Sequence, residues 1–410
     1  MKKRIFISIY YLQFGGAETS LIGLLNALDT ERYDVDLFVF NHTGEMIRYI
    51  PKGVNLLPED PVYAHMDGSI VQCLKDGYVS MALRRLWAQQ KYNKCAKRNG
   101  MQNQEGVYTY IAKAVCSILP SLEKYGDYDL AISYILPHQI VLDKVRAKKK
   151  ICWLHTDYTK IGIDPVEELK VWSRYNYISS ISPDVTKAFL HVFPSLKDKI
   201  IEIENIMPKV LIEEKVKDVS NCSKEFKRIE GITTLVSVGR ICEAKNYDNI
   251  PYMAKALKEL YKVSGCSNSS KGFNWYIVGP GDHSAIDALS VQLGVSDVVT
   301  FLGPSSNPYP YIKACDIYVH PSRYEGKSIV VREAQILCKP VIITNYPTAK
   351  SQIQDGVDGI ICELDNQKIA EAIYTLTMNK EKQQSLIDYL KTHDYVGLNE
   401  VEKIYKLLDE

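Results

Sequence analysis

Residues 320–334 read HPSRYEGKSIVVREA and hold the densest chemistry in the chain. A strand ending at His320, a turn, and a helix starting near Lys327 or Ser328 would put Glu325 at the helix entrance. Glu333 would then lie two turns further on. Open N–H groups and the positive pole of a helix N-terminus suit a diphosphate. Two carboxylates eight residues apart can reach different hydroxyls of one long ligand. A helix-terminal charge and a surface glutamate would read the same way. Gly239-Arg240 follows another strand end, with Lys245 five residues on. Two cations beside a backbone turn can clamp a pyrophosphate, although two ordinary surface cations have the same letters. His155 closes a strand in ICWLHTD, a place where histidines line clefts and also serve structure.

These residues need strands to carry them to one edge. Residues 5–12 form a near-continuous apolar run, typical of a strand buried on both faces. Gly15 and Gly16 follow, then Leu21, Leu24, Leu25 and Leu28 at helical spacing. Residues 34–40, 130–135, 150–154 and 177–181 fit further strands. A second series of strands is expected at 234–238, 274–278, 298–301, 317–320 and 341–344, with helices at 253–261, 285–293 and 328–337. Such alternation predicts an α/β protein with two Rossmann-like, doubly wound domains, their parallel sheets facing across an interdomain cleft. The expected division is 1–205, a linker at 206–230, 231–385, and a helical tail at 386–410 that returns toward the N-terminal domain. A helical insertion of basic character is expected at about 62–119. Asp34/Asp36 and Asp127/Asp129 match Asp-x-Asp but start strands, the wrong end for a ligand in an open sheet, and read as surface. GPGD at 279–282 is only half of a dinucleotide fingerprint.

In order and spacing the chain resembles the retaining glycosyltransferases of family 4, which have the two-domain GT-B fold. The residues that carry the resemblance are Gly15-Gly16, His155, VGRICEAKN at 238–246, WYIVGPGD at 275–282 and Glu325-x7-Glu333. The resemblance implies a C-terminal domain that binds a nucleotide sugar and an N-terminal domain that binds the acceptor. Arg240 and Lys245 would hold the donor diphosphate and stabilise the departing anion. Glu333 would bind ribose hydroxyls and Glu325 hydroxyls of the transferred sugar. Gly239, Gly279, Gly326, Lys327, Ser328 and Ile329 would line the donor, with backbone N–H groups of 326–328 facing its oxygens. Gly15 and Gly16 would allow close approach of donor phosphates or acceptor, and His155 would contact the donor sugar. Transfer would be front-face, with no enzyme nucleophile, no metal and no cofactor beyond the donor itself. The sequence departs from the family in two places. Lys327 follows Gly326, and the usual TDVGGxxE loop reads TNYPTAKSQ at 344–352, where Pro347 has no N–H to offer.

Composition limits what else the chain can do. It has 410 residues, 46% hydrophobic and 24% charged, with a net charge of +1. A bulk nucleic-acid binder is excluded by that balance. Ten scattered cysteines without C-x-x-C pairs fit a reducing compartment. No apolar run reaches the roughly 18 residues of a membrane span, and the start lacks a small-residue cleavage site, so a cytoplasmic protein is expected. The average hides a patch: residues 75–124 hold nine basic and three acidic residues, and 81–98 hold six cations and no acid. With Leu83, Leu86, Trp87 and Tyr92 among those cations, residues 83–98 suit an anionic membrane surface or a solvated helix packed on the core.

The expected activity is transfer of a hexose or hexosamine from a nucleotide-diphosphate sugar, UDP-linked, to a saccharide acceptor carried on a polyprenyl diphosphate. Such a step belongs to capsule or exopolysaccharide assembly. The alternatives are a nucleotide-sugar epimerase of the same fold and a weakly catalytic sugar-nucleotide-binding assembly partner.

Overall fold

A computed structural model describes residues 2–13, 15–101, 106–264 and 272–410. The chain divides into two compact units, Met1–Ile206 with Gly397–Glu410, and Met207–Val396. Glu105 of the insertion and Cys266 lie outside the described residues.

The first unit is built on a parallel sheet of β1 (Lys3–Ile9), β2 (Tyr33–Val39), β3 (Val54–Leu56), β4 (Tyr128–Ser133), β5 (Ala147–Leu154), β6 (Tyr177–Ser180) and β7 (Ile200–Glu202), in the order β3-β2-β1-β4-β5-β6-β7. Ile7 of β1 sits between Leu37 and Ile132 of its neighbours. Both faces are covered, so the strand cores are runs of buried apolar residues rather than strict alternations, with polar residues mostly near the strand starts. The helices are α1 (Gly16–Ala27), α2 (Pro61–Ala64), α3 (Ile70–Lys75), α4 (Val79–Asn99), α5 (Val107–Val115), α6 (Gln139–Lys144), α7 (Pro165–Trp172) and α8 (Pro183–Val192). Pro at the first turn of α2, α7 and α8, each behind an Asp or Ser whose side chain accepts from the helix, explains where those helices start.

The second unit carries α9 (Lys209–Val216), β8 (Ile232–Val238), α10 (Ile250–Val263), β9 (Gly272–Val278), α11 (Ser284–Gln292), β10 (Val299–Phe301), α12 (Tyr309–Ala314), β11 (Ile317–His320), α13 (Ile329–Ile336), β12 (Val341–Thr344), β13 (Ile360–Cys362), α14 (Asn366–Met378) and α15 (Lys380–Thr392). Its parallel sheet runs β10-β9-β8-β11-β12-β13. Successive residues of one strand enter opposite cores. Leu235, Trp275, Ile277, Ile317 and Val319 pack with α10 and α14. Val236, Tyr276, Val278 and Tyr318 pack with α9, α12 and α13. Each such side chain contributes about 1.5–3 kcal/mol by leaving water.

Several expectations change. Residues 206–230 are folded onto the second unit rather than strung out as a linker. Met207 and Ile212 are buried in its core, and Phe226 stacks edge-on against Tyr276 and Tyr311. The tail begins later than 386. α15 stays with the second unit, and only the last helix, α16 (Val401–Asp409), joins the first. There Tyr405 stacks on Tyr33 at 4.8 Å, and its hydroxyl accepts the Asp29 N–H at 2.7 Å and donates to Ala27 O at 3.4 Å. Strands β3, β7 and β13 span three residues each, too short for a periodicity to register. Asp36 is buried, not on the surface. Its carboxylate takes Arg4 at 2.8 Å, Asn55 at 2.7 Å and the Tyr128 hydroxyl at 2.7 Å, which ties β1, β2, β3 and β4 together.

The insertion is helical as expected, but two of its cations are used internally. Arg85 is buried and donates to the carbonyls of His65, Asp67 and Gly68. Arg84 donates to Ala114 O and Ser117 Oγ.

Candidate functional site

In the second sheet the strand order reverses between β8 and β11, and ligands of open α/β sheets sit at the carboxyl ends beside such a point. Gly239 follows β8 and His320 ends β11 there. Gly279, after β9, lies against this turn. A Cβ on Gly279 would fall 1.9 Å from Gly239 O, so only glycine fits. Gly239 N–H donates to Val278 O and Ile241 N–H to Pro280 O, which ties the two turns together. A Cβ on Gly239 would also crowd the Lys245 stem at 3.1 Å. The bare backbone lets Lys245 lie across the strand end.

Lys245 Nζ reaches Glu325 Oε1 at 2.6 Å. The same oxygen accepts from His320 Nε2 at 2.9 Å and Ser322 Oγ at 2.7 Å. Burial alone would raise the Glu325 pKa, but the Lys245 ammonium and the His320 N–H outweigh it and hold the carboxyl far below its usual range. Burial, with Lys245 nearby, pushes His320 down and keeps its ring neutral, so Nε2–H is the donor. Nδ1 then accepts from the Tyr318 hydroxyl at 3.3 Å. Arg240, next to Gly239, is exposed.

The turn that bears Glu325 is anchored to the segment that bears Lys245. Arg323 grips Asp248 with two hydrogen bonds, at 2.9 and 2.6 Å, and its own N–H donates to Ala244 O at 2.7 Å. Paired forks of this kind fix geometry as well as charge. His320, Ser322, Arg323 and Asp248 were not singled out for this role from sequence. The spacing His-x-Ser-x-x-Glu could have pointed to the first two, whereas Asp248 meets Arg323 only through the fold.

The divergent loop 344–352 has a structural answer. Gln352 closes the loop, and its amide brackets Ser328, accepting from Ser328 N–H at 3.1 Å and donating to Ser328 O. The Tyr346 hydroxyl donates to Gln352 at 3.2 Å, and Thr348 Oγ1 donates to Glu325 O at 3.0 Å. The Ser328 N–H, expected to face a donor oxygen, is therefore committed to Gln352. Ser328 is the residue before α13, so Ile329 begins the helix, and Gly326 and Lys327 are half-buried in the turn before it. Replacing Gln352 with leucine would leave the Ser328 N–H buried without a partner and its C=O with only the long Arg332 N–H at 3.4 Å. A loss of about 1–3 kcal/mol in unfolding free energy is expected, read from the urea midpoint.

Glu333, on the buried side of α13, is 4% exposed and accepts from the Tyr309 hydroxyl at 2.9 Å. Burial raises its pKa to about 7, against the opposing pull of Tyr309 and of Lys215 from α9.

In the first unit His155 follows β5, and its Nε2 donates to Tyr134 O at 2.8 Å. Burial pushes its pKa down to about 4, so the ring is neutral and Nδ1 is its acceptor. Gly15 precedes α1. A Cβ there would lie 2.2 Å from Glu18 Oε2. The missing side chain thus makes room for a buried carboxylate at the helix start, where the helix dipole favours one. Gly16 is exposed as the first residue of α1. Arg240, Lys245, Glu325, Gly239, Gly279 and the 326–329 turn thus belong to one unit, with Glu333 one turn into α13. His155, Gly15 and Gly16 belong to the other.

Residues 220–393 match the family described as glycosyl transferases group 1. An uncharacterised glycosyltransferase of Haemophilus influenzae is 27% identical over 178 residues, 42% of this chain and 48% of that protein. The Campylobacter jejuni N-acetylgalactosamine-N,N'-diacetylbacillosaminyl-diphospho-undecaprenol 4-alpha-N-acetylgalactosaminyltransferase is 27% identical over 169 residues, 41% of this chain and 39% of that protein. The chain spans about half the length of the first curated relatives it matches. The crystal structure of Anabaena Alr3699/HepE in complex with UDP covers 99% of both chains with a TM-score of 0.61 at 15% identity. Two Rossmann-like units with parallel sheets of seven and six strands, and this likeness, define the fold as GT-B.

Proposed function

We propose that the chain is a retaining glycosyltransferase of family 4 that moves a hexose or hexosamine from a UDP-linked donor to a saccharide acceptor on a polyprenyl diphosphate. The observation that carries this reading is the Lys245–Glu325 pair at the reversal of the second sheet, with Arg240 exposed beside it. Arg240 and Lys245 hold the donor diphosphate and stabilise the nucleoside diphosphate as it departs. Glu325 accepts from hydroxyls of the transferred sugar. Three donors converge on one of its oxygens, so it stays ionised and fixed rather than acting as a nucleophile. Glu333 receives the ribose hydroxyls, the Gly326 and Lys327 N–H groups face donor oxygens, and His155 meets the transferred sugar. A nucleotide site supported by the UDP-bound Anabaena structure and a lipid-linked acceptor like that in the Campylobacter enzyme's name both favour this reading.

A panel of nucleotide sugars, with UDP or GDP release measured with and without acceptor, tests it. Release that depends on acceptor, an α-linked product by NMR from an α-linked donor, and activity undiminished by EDTA are expected. Conversion of donor alone to another sugar would favour the epimerase. Binding without release in any combination would favour the assembly partner.

Membrane contact at the cytoplasmic face belongs to the same proposal. Among the described residues no helix is long and apolar enough to cross a membrane. Residues 83–98 instead present Leu83, Leu86 and Trp87, exposed at 61%, 43% and 58%, on the side of α4 away from its buried Met81, Ala88 and Tyr92. Lys91 lies over the Trp87 ring at 5.1 Å, and Lys94, Lys97 and Arg98 follow. A surface of exposed apolar side chains ringed by cations fits an anionic bilayer. Changing Leu83, Leu86 and Trp87 together to serine is expected to weaken binding to phosphatidylglycerol vesicles at least about tenfold, from the apolar area lost at about 25 cal/mol per Å². Equal sedimentation of both proteins with vesicles would remove this part.

A further inference from the structure

The two segments that meet in the Lys245–Glu325 pair are both irregular. One is a pair of single 3₁₀ turns, Glu243–Lys245 and Tyr247–Asn249, joined at Asn246. Asn246 is buried and left-handed, with a φ of 61°. Such turns have poorer hydrogen-bond geometry than an α-helix. The other, residues 321–328, runs between β11 and α13 without helix or strand. Neither has a ladder of its own, so the Lys245–Glu325 geometry depends on what ties the segments down. On one side Tyr247 is buried in the core. On the other, the hydroxyls of Thr344 and Thr348 donate to Ser322 O and Glu325 O.

Arg323 ties one segment to the other. It makes four hydrogen bonds, and they fall on both sides of Lys245. Its backbone N–H donates to Ala244 O at 2.7 Å and its Nη1 to Glu243 O at 2.5 Å, while Nη1 and Nη2 fork onto Asp248 at 2.9 and 2.6 Å. Lys245 leaves the chain between these anchor points, and Glu325 lies two residues past Arg323. The clamp itself adds little to stability. Arg323 and Asp248 are 25% and 53% exposed at their side chains, and exposed ion pairs contribute little. A planar fork supplies geometry instead, which a single ammonium cannot reproduce.

We propose that Arg323 is a positioning residue for the reaction. With Asp248 it fixes the register of the two turns, so that the Lys245 ammonium and the Glu325 carboxylate stand at one separation and one angle. Both N–H groups of Nη1 and one of Nη2 are spent on Glu243 and Asp248, so Arg323 acts through Lys245 rather than on the donor. The register does not depend on what the protein transfers; its use in catalysis rests on the glycosyltransferase reading. A misplacement of about 1 Å can cost about 10²-fold in rate.

Two experiments on the full chain test it. The first needs no substrate. Unfolding constants in urea are measured for Lys245→Met and Glu325→Gln, singly and together, in wild-type, Arg323→Ala and Asp248→Ala backgrounds. The coupling between the two substitutions, read as a factor in the unfolding constant, should shrink at least about fivefold once either half of the clamp is gone. The second is turnover. Arg323→Ala should lower kcat about 10–100-fold, with KM for donor within about threefold of wild type. Asp248→Ala should lower kcat at least about threefold, and the double variant should fall no more than about threefold below Arg323→Ala, because both act on one tie. Arg323→Lys keeps the charge without the fork and should remain at least about fivefold down. Unchanged kcat in Asp248→Ala, or full activity in Arg323→Lys, would make Arg323 a charge on the donor and overturn the proposal. So would a Lys245–Glu325 coupling that is the same in all three backgrounds. Asp248 is exposed, so its variant keeps the test open should Arg323→Ala misfold. If no nucleotide sugar is turned over, the glycosyltransferase reading fails and the unfolding cycle still decides the register.

Discussion

Replacing Lys245 with alanine is expected to slow donor cleavage by about 10²–10³-fold, the usual cost of deleting one preorganised group that faces developing charge. The effect should fall on kcat more than on KM, because charge on the diphosphate rises as the sugar leaves. A second loss comes with it. Lys245 and Glu325 are only 18% and 14% exposed at their side chains, so removing the ammonium strands a buried carboxylate on His320 and Ser322 alone. Breaking such a pair costs about 3–5 kcal/mol, and the lower end is expected because those two donors remain. The pH dependence separates the two losses. Glu325 titrates below its unfolded value in the folded protein. Its contribution is present above the ordinary carboxylate range and fades as pH falls through the depressed folded value. The gap in melting temperature between wild type and variant should therefore be full at pH 7 and start to narrow only as pH falls below the ordinary carboxylate range. The loss of kcat at pH 7 should persist at temperatures where both proteins are folded. Lys245→Met with Glu325→Gln, which removes both charges, should recover stability and stay inactive. Recovery of activity in that pair, or a single variant with unchanged kcat, would overturn the role given to Lys245.

The parts of this site that could be read in the sequence are those that are local. Glu325, Lys245 and Arg240 sit within a few residues of apolar strand ends, and a strand followed by a polar turn and an amphipathic helix is legible from periodicity alone. What surrounds them was not. Gln352 is 24 residues from the Ser328 backbone it brackets, and Tyr309 is 24 residues from Glu333. Asp248 is 75 residues from Arg323. Nothing in those letters marks a partner; each pair exists because neighbouring strands in a parallel sheet are joined through a helix, so their ends meet only in three dimensions. The linker expected at 206–230 misled for a related reason. The polar residues 215–227 within it show no periodicity, which says loop, but Lys215 lies in the last turn of a helix whose Leu211 and Ile212 are buried, and it is itself 6% exposed. Charge on a sequence is no measure of exposure once a long stem can lie along apolar surface. Arg85 shows the same in the first unit, where a cation counted toward a membrane face proves to hold backbone carbonyls.

Replacing Glu333 with glutamine is expected to make the protein more stable and a poorer binder of donor. The buried carboxyl titrates near pH 7 in the folded protein and near its ordinary value when unfolded. Its raised folded value means that the native state holds the proton more tightly. Stability is therefore greatest below the unfolded value and falls as pH rises toward 7, beyond which the penalty is constant. A shift of that size corresponds to about 3 kcal/mol at most. Glutamine keeps an oxygen for the Tyr309 hydroxyl and carries no charge to desolvate. The variant should then equal wild type in unfolding free energy near pH 4.5 and exceed it by up to about 3 kcal/mol at pH 8, measured by urea titration. The donor tells the other half. Ribose hydroxyls bond to a carboxylate more strongly than to an amide, by about 1 kcal/mol each on the scale of charged against neutral hydrogen bonds. KM for donor should rise about tenfold or more in the variant at pH 8. In wild type it should climb as pH falls through 7, while in the variant it should stay flat. A variant less stable than wild type at pH 8 would mean that Lys215 already compensates the ionised carboxylate in the ligand-free protein. A donor KM independent of pH in wild type would take Glu333 out of the nucleotide site. The two measurements are independent, and together they distinguish a carboxyl buried for binding from one buried for packing: only the former trades stability for affinity across the same pH window.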